Sequence, residues 1–121
     1  MTNIHNTSIV NADAKIGKNV QIGAYSIVEE NVVIGDETII HPYVHIKSGT
    51  TIGKNNKIFQ NSTVGEDPQD LKYDNEKTTL VIGDNNVIRE NCTLNKGTTA
   101  ANKTVIKNNC LLMAYVHVAH D

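Results

Sequence analysis

An aliphatic residue recurs every six positions along almost the whole chain, and this repeat constrains the fold more than any other feature. Counting in steps of six from Ile4 to Val118 gives 20 positions, and 17 of them hold Ile, Val or Leu. The exceptions are Asp70, Glu76 and Ala100. Because only 31 of the 121 residues are of these three types, such a repeat does not arise by accident.

A period of six predicts strands rather than helices. Six is a multiple of the two-residue period of a strand, so the recurring aliphatics face the same way. A small or β-branched residue commonly precedes each aliphatic by two positions, and Gly often follows it, as at Gly23 and Gly35. We interpret these glycines as bends where a side chain would obstruct the turn or force an unfavourable φ. The sequence therefore predicts an all-β parallel solenoid, with three short strands per 18-residue coil forming a triangular prism.

Two polar segments interrupt the repeat, and we predict that both protrude as loops, at about 66–79 and about 96–104. Pro68 in the first segment cannot donate a ladder hydrogen bond. One continuous repeat in 121 residues predicts a single domain over 1–121. Functional groups concentrate on loops carried by a rigid scaffold, so these segments are where chemistry is expected.

The composition argues against several classes of protein. The 11 basic and 13 acidic residues are spread along the chain for a net charge of -2, which predicts no nucleic-acid partner and no binding to an anionic membrane. No apolar stretch is long enough to be a transmembrane segment and no signal peptide is apparent, so we predict a cytoplasmic protein. Cys92 and Cys110 lack metal-ligand spacing and are interpreted as small buried thiols.

Three segments carry a specific resemblance to a known family. They are Gly65 to Tyr73 with its Q-D-L-K-Y motif, Ile88 to Thr98, and the closing H-V-A-H-D of 117–121. Together they resemble the amino-terminal half of the bacterial UDP-N-acetylglucosamine O-acyltransferases, and the resemblance covers the whole chain. Likeness to hexapeptide-repeat proteins also implies that the β-helix is left-handed, which the repeat alone does not decide.

The resemblance implies an enzyme of lipid A biosynthesis. The expected reaction moves a 3-hydroxyacyl group from acyl carrier protein to the 3-hydroxyl of UDP-N-acetylglucosamine, as the first step of the pathway to lipopolysaccharide. In the family the alcohol attacks directly, without an acyl-enzyme, so no cofactor and no metal are expected. Family members are homotrimers with the active site between adjacent prisms, and this is the expected assembly here.

The resemblance also implies the catalytic residues. An alcohol is a poor nucleophile at neutral pH, so a base must remove its proton as the thioester is attacked. Histidine suits this role because its ordinary pKa is near 6.5. The second histidine of H-V-A-H-D, His120, matches the family's base, and Asp121 matches the carboxylate that orients it.

Substrate-binding residues are carried over in the same way. His117 matches a substrate-contacting histidine, and Asp70 and Lys72 match residues that contact the sugar nucleotide, with Gln69 beside them. Lys72 offers a charge to an anionic group, and Asp70 can accept hydrogen bonds from sugar hydroxyls. Asn95 occupies a position where the best-known members carry a histidine, and an amide can bind there but cannot titrate.

Length is the main departure from the family, whose chains continue through further coils into a small helical domain. The resemblance implies that residues beyond Asp121 supply an oxyanion donor, so we expect a truncated domain and leave the activity of this chain open. Three alternatives also stay open. They are another hexapeptide-repeat sugar-nucleotide acyltransferase, a γ-class carbonic anhydrase with zinc held by three histidines, and a non-catalytic β-helix that trimerises.

Overall fold

The computed structural model describes residues 2–67, 79–97 and 103–119, and every regular element in these ranges is a short β-strand. The strands form three parallel sheets. The first sheet contains β1 (Asn3–Ile4), β4 (Gln21–Ile22), β7 (Ile39–Ile40), β10 (Lys57–Ile58), β13 (Val87–Ile88) and β16 (Leu111–Leu112). The second contains β2 (Ile9–Val10), β5 (Ile27–Val28), β8 (His45–Ile46), β11 (Thr63–Glu66), β14 (Thr93–Asn95) and β17 (His117–Val118). The third contains β3 (Lys15–Ile16), β6 (Val33–Ile34), β9 (Thr50–Ile52), β12 (Thr79–Ile82) and β15 (Lys103–Ile106).

Successive strands along the chain belong to successive sheets, so three strands make one coil of the predicted prism. Paired residues in the early coils are 18 positions apart, as in the pairing of Ile22 with Ile40. The separation grows to 30 between Val64 and Leu94 and is 24 between Leu94 and Val118. The extra residues stand where the sequence leaves the repeat. The predicted loops lie largely in 68–78 and 98–102, outside the described residues.

The core consists of the aliphatics that set the six-residue repeat. Each sheet directs one of them inward per coil, and those of the central coils are at most 2% exposed, including Ile22, Ile46 and Ile82. They stack in columns because paired strands are in register. Cys92 joins this core as predicted, whereas Cys110 is only half-buried, and both are free thiols.

Polar side chains also enter the prism, at the position two residues before the aliphatic. Asn56 and Asn86 are fully buried there. Asn56 Oδ1 accepts from the Asn86 N–H at 2.9 Å, and Asn86 Oδ1 accepts from the Cys110 N–H at 2.8 Å. Their Nδ2 groups donate to the carbonyls of Gly83 and Lys107. This ladder satisfies backbone groups at one corner that the short strands leave unpaired.

The turns explain why the sequence carries so many asparagines and glycines. The left-handed conformation falls mostly on asparagines at the second turn position, such as Asn55 with φ of 57°. Of the glycines that follow the aliphatics, only Gly65 has a left-handed φ, of 87°. Gly35 is there for space, because a Cβ on it would lie 2.6 Å from the carbonyl carbon of Gly53 in the next coil. Obstruction of the turn, rather than φ, is thus the common reason for glycine.

Candidate functional site

The structure describes two of the seven predicted site residues, Asn95 and His117. The other five lie outside the described residues, and their roles stay predictions: Gln69, Asp70, Lys72, His120 and Asp121.

The strands that lead to the predicted motifs are neighbours in the second sheet. β11 ends at Glu66, just before the Q-D-L-K-Y segment, and β14 ends at Asn95. β17 contains the first two residues of H-V-A-H-D, and it pairs with β14, which pairs with β11. All three strands run in parallel and end at the same corner of the prism, which we call the loop corner. Motifs that are distant in sequence are thereby preceded by adjacent strands.

His117 begins β17 and faces outward. It pairs in register with Thr93, which pairs with Thr63, which pairs with His45. The His117 side chain is exposed, so its imidazole is accessible on the outer face of the second sheet. An accessible imidazole beside threonine hydroxyls can donate or accept hydrogen bonds, as the predicted substrate contact requires.

Asn95 lies in a different environment from His117. It ends β14 in register with Glu66, after an irregularity in β11 between Val64 and Glu66. The residue is fully buried, and among the described residues neither Oδ1 nor Nδ2 has a hydrogen-bond partner. Leaving such groups unsatisfied costs about 1–3 kcal/mol each. Unsatisfied buried groups of this kind are often found at functional sites. The contact of Asn95 with substrate stays a prediction.

A hydrogen bond between side chains joins the second and third coils at the loop corner. Nε2 of His45 lies 2.6 Å from Oε2 of Glu29, and the other oxygen of Glu29 accepts from the Ser48 N–H at 3.1 Å. Partial burial raises the pKa of the Glu29 carboxyl, but the bonds from Ser48 and His45 outweigh it and bring the pKa below its ordinary value. Glu29 is therefore a carboxylate that joins two coils.

Two ion pairs join residues that border the first insertion to neighbouring coils. Nζ of Lys47 lies 3.1 Å from Oε1 of Glu66, and Nζ of Lys96 lies 3.3 Å from Oδ1 of Asp67. The hydrogen bond to Glu66 raises the pKa of Lys47 above its ordinary value. Glu66 and Asp67 immediately precede segment 68–78, so cations of the neighbouring coils hold the base of this segment.

Sequence reasoning missed these charged residues, although a signal for them was present. In an 18-residue coil, residues about 18 positions apart lie one above the other, and Glu29 and Lys47 are 18 apart. Writing the sequence in rows of 18 would have placed acids and bases side by side at the loop corner. Nothing in a single row shows this, because the partners belong to different coils.

The described part of the chain offers no obvious metal centre. It contains no group of three or more His, Cys, Asp or Glu side chains arranged to hold an ion. In the same described part of the chain, no helix is long and apolar enough to cross a membrane.

Comparison with known proteins supports the predicted fold and family resemblance. Residues 31–66 match the family described as bacterial transferase hexapeptide (six repeats). The whole chain is 44% identical over 121 residues to an acyl-[acyl-carrier-protein]–UDP-N-acetylglucosamine O-acyltransferase from Chlamydia caviae. Over 122 residues it is 51% identical to the protein of that name from Saccharophagus degradans. The chain spans 43% and 47% of the lengths of these relatives.

Solved structures also support the predicted fold and the family resemblance. The UDP-N-acetylglucosamine O-acyltransferase of Moraxella catarrhalis superposes on 98% of the chain with a TM-score of 0.95 and 47% identity, and the match covers 46% of that chain. An Arabidopsis UDP-N-acetylglucosamine acyltransferase matches over 98% of this chain and 49% of its own, with a TM-score of 0.75 and 34% identity. The predicted left-handed parallel β-helix is confirmed, and so is the resemblance drawn from the motifs.

Proposed function

Because this chain is homologous over its whole length to the UDP-N-acetylglucosamine O-acyltransferases, we propose that it is the amino-terminal half of such an enzyme. The complete protein then moves a 3-hydroxyacyl group from acyl carrier protein to the 3-hydroxyl of UDP-N-acetylglucosamine, the first step of lipid A biosynthesis. One observation carries the proposal. The matches at 41–51% identity cover 99–100% of this chain, so the aligned region includes both insertions and the H-V-A-H-D motif as well as the repeats.

The proposed chemistry is a direct acyl transfer. His120 accepts the proton of the 3-hydroxyl while the oxygen attacks the thioester carbonyl, and the carrier-protein thiolate leaves and takes up a proton. Asp121 orients the imidazole of His120. His117, an exposed residue three positions before His120, contacts the substrate. General-base catalysis of this kind contributes about 10²–10⁴-fold in rate.

Binding of the sugar nucleotide is assigned to the residues of the first insertion. Asp70 and Gln69 bond sugar hydroxyls, and Lys72 pairs with an anionic group. The ion pairs of Lys47 with Glu66 and Lys96 with Asp67 support this assignment, because they hold the base of the same segment against the prism. Fixing the base of a binding loop lowers the entropy that is lost when it closes on a ligand.

We also propose a cytoplasmic homotrimer. Large apolar side chains face outward from the first and second sheets: Leu111 is 60% exposed and Ile9 is 66% exposed. Apolar groups on flat parallel sheets favour association of identical prisms. The measurement that tests this assembly is the molar mass in solution.

The test of the activity uses a form extended past Asp121, its His120→Ala variant and this 121-residue chain. We expect UDP-N-acetylglucosamine-dependent consumption of hydroxyacyl carrier protein by the extended form and a loss of at least about 100-fold with His120→Ala. Lys15→Ala, at an exposed position of the third sheet, is the control and should keep full activity. An inactive extended form would refute the acyltransferase proposal, and an active 121-residue chain would show that the first half suffices.

A further inference from the structure

A column of side chains runs along the first sheet at the position immediately after each strand. Backbone bonds keep the coils in step at this position: the His5 N–H donates to the Ile22 carbonyl at 2.9 Å, and the His41 N–H donates to the Ile58 carbonyl at 2.9 Å. We call this the first-sheet column. In coil order it contains His5, Gly23, His41, Phe59, Arg89 and Met113.

Planar groups already stack in the middle of this column. The rings of His41 and Phe59 are 4.3 Å apart between centroids and inclined by 12°. The guanidinium of Arg89 lies 4.2 Å from the centroid of Phe59, and its Nε donates to Glu90 at 3.0 Å. One planar group per coil therefore fits the spacing of the prism, because the coil spacing is close to a stacking distance.

The column is interrupted at Gly23, between two histidines. His5 and His41 are two coils apart, which is about 9.5 Å along the prism, or room for one more planar group. A surface cavity of about 250 Å³ lies at this position and is lined in part by His5, Gly23 and His41. A side chain at position 23 would not fit without a shift of the backbone, because a Cβ on Gly23 would lie 2.6 Å from the backbone nitrogen of Pro42. The gap is therefore a consequence of the packing of the coils.

One wall of the cavity, the His5 ring, is held in place by hydrogen bonds. Nδ1 of His5 lies 2.8 Å from the Thr7 hydroxyl and accepts from the Thr7 N–H at 3.2 Å, which orients the ring. Asn3 and Gln21, in register on the neighbouring strands, add amide groups to the lining. Among the residues that the structure describes, no Lys, Arg, Asp or Glu lines the cavity. Burial lowers the pKa of the His41 imidazole below its ordinary value and so favours the uncharged ring.

We propose that this cavity binds a planar, uncharged heteroaromatic ring, stacked between His5 and His41 with its polar edge on the amides of Asn3 and Gln21. The two imidazoles supply the faces, and the bare backbone of Gly23 supplies the floor. A charged ligand is disfavoured because no side chain of the lining offsets its charge. The site does not rest on the proposed acyltransferase activity, since it lies on the first sheet, whereas Asn95 and His117 belong to the second.

The test is titration of the ¹⁵N-labelled chain with uracil, with adenine and with 5,6-dihydrouracil, followed by amide chemical shifts. Dihydrouracil keeps the polar edge of uracil but loses the aromatic ring. We expect saturable shifts at Gly23 and Gln21 with the two aromatic bases and weaker binding of dihydrouracil. His5→Ala and His41→Ala should each weaken binding about three- to tenfold, the loss of one stacking partner.

Met113→Ala is the matched control, because it removes a side chain from the same column away from the cavity, and it should leave binding unchanged. The comparison of uracil with dihydrouracil needs no variant, so it stands even if a histidine variant unfolds. Equal binding of the two, absence of saturable shifts, or binding unaffected by both histidine variants would overturn the proposal. Shifts at Gly23 that depend on protein concentration alone would show that a second copy fills the cavity, and would overturn it too.

Discussion

Replacing Asn56 by alanine should destabilise the prism much more than replacing it by threonine. The Asn56 side chain joins two coils, because Oδ1 accepts from the Asn86 N–H at 2.9 Å and Nδ2 donates to the Gly83 carbonyl at 2.8 Å. Thr38, one coil earlier, makes the equivalent bonds with a single hydroxyl. It accepts from the Asn56 N–H at 3.3 Å and donates to the Gly53 carbonyl at 2.9 Å. A threonine at this position of the coil can therefore make both hydrogen bonds.

The size of the effect follows from these bonds. Alanine at position 56 leaves the N–H of Asn86, a fully buried residue, without its acceptor, which costs about 1–3 kcal/mol. Loss of the bond to the Gly83 carbonyl adds about 1 kcal/mol. We therefore expect Asn56→Ala to lower the free energy of unfolding by about 2–4 kcal/mol. For Asn56→Thr, which keeps both bonds, we expect a loss of less than about 1 kcal/mol.

Urea unfolding followed by far-ultraviolet circular dichroism is a suitable assay, because the chain has no Trp to report by fluorescence. With a slope of about 2 kcal/mol per molar urea, the alanine variant should unfold at a midpoint about 1–2 M lower, and the threonine variant within about 0.5 M of the parent. A parent-like midpoint for alanine would show that the buried ladder does not stabilise the prism. A threonine midpoint as low as that of alanine would show that shape, not hydrogen bonding, matters at this position.

Three further predictions concern crowding, pH and thiol reactivity. Gly35→Ala should lower the midpoint of thermal unfolding, because its Cβ would lie 2.6 Å from the backbone of the next coil; an unchanged midpoint would argue against crowding. The pKa of Glu29 is lower in the folded protein than in the unfolded chain, so its stabilising effect is present above the ordinary value of 4.5 and is lost as the pH falls through the folded pKa. The parent should therefore lose more stability than Glu29→Gln between about pH 6 and pH 3, and parallel losses would contradict the pairing with His45. Burial raises the pKa of the Cys92 thiol. In the folded protein Cys92 should therefore react with a thiol reagent more slowly than half-buried Cys110, and the two rates should converge in urea. Equal rates in the folded protein would count against the burial of Cys92.

Three contacts between polar side chains lie at the loop corner, and each of them joins two coils. Each coil supplies only two or three residues at this corner, so a single coil cannot hold an inserted segment. Lys47 and Lys96 come from the coils on either side of Glu66 and Asp67 and bind them from both directions. Exposed pairs of this kind contribute little to global stability, at most about 1 kcal/mol each. Their effect is local, because they hold Glu66 and Asp67, the last two described residues before the first insertion, to the neighbouring coils.

Much of the fold could be predicted because the repeat is a local and redundant signal. Ile22, Ile46 and Ile82 lie in three different sheets, yet each is buried for the same reason and at the same phase of the repeat. The role of glycine was predicted only in part, because the sequence does not distinguish a residue that needs a left-handed φ from one that needs space. Gly65 is of the first kind and Gly35 of the second.

The sequence by itself determined the all-β prism, its 18-residue coil and the family resemblance, since periodicity and short motifs are properties of consecutive residues. Only the tertiary structure decided which residues meet across coils. It showed the buried amide of Asn95, which has no hydrogen-bond partner among the described residues, the pairing of Glu29 with His45, and the gap at Gly23 between His5 and His41. The physical reason is that a solenoid places residues one coil apart in contact, and their chemistry depends on stacking between coils rather than on neighbours along the chain.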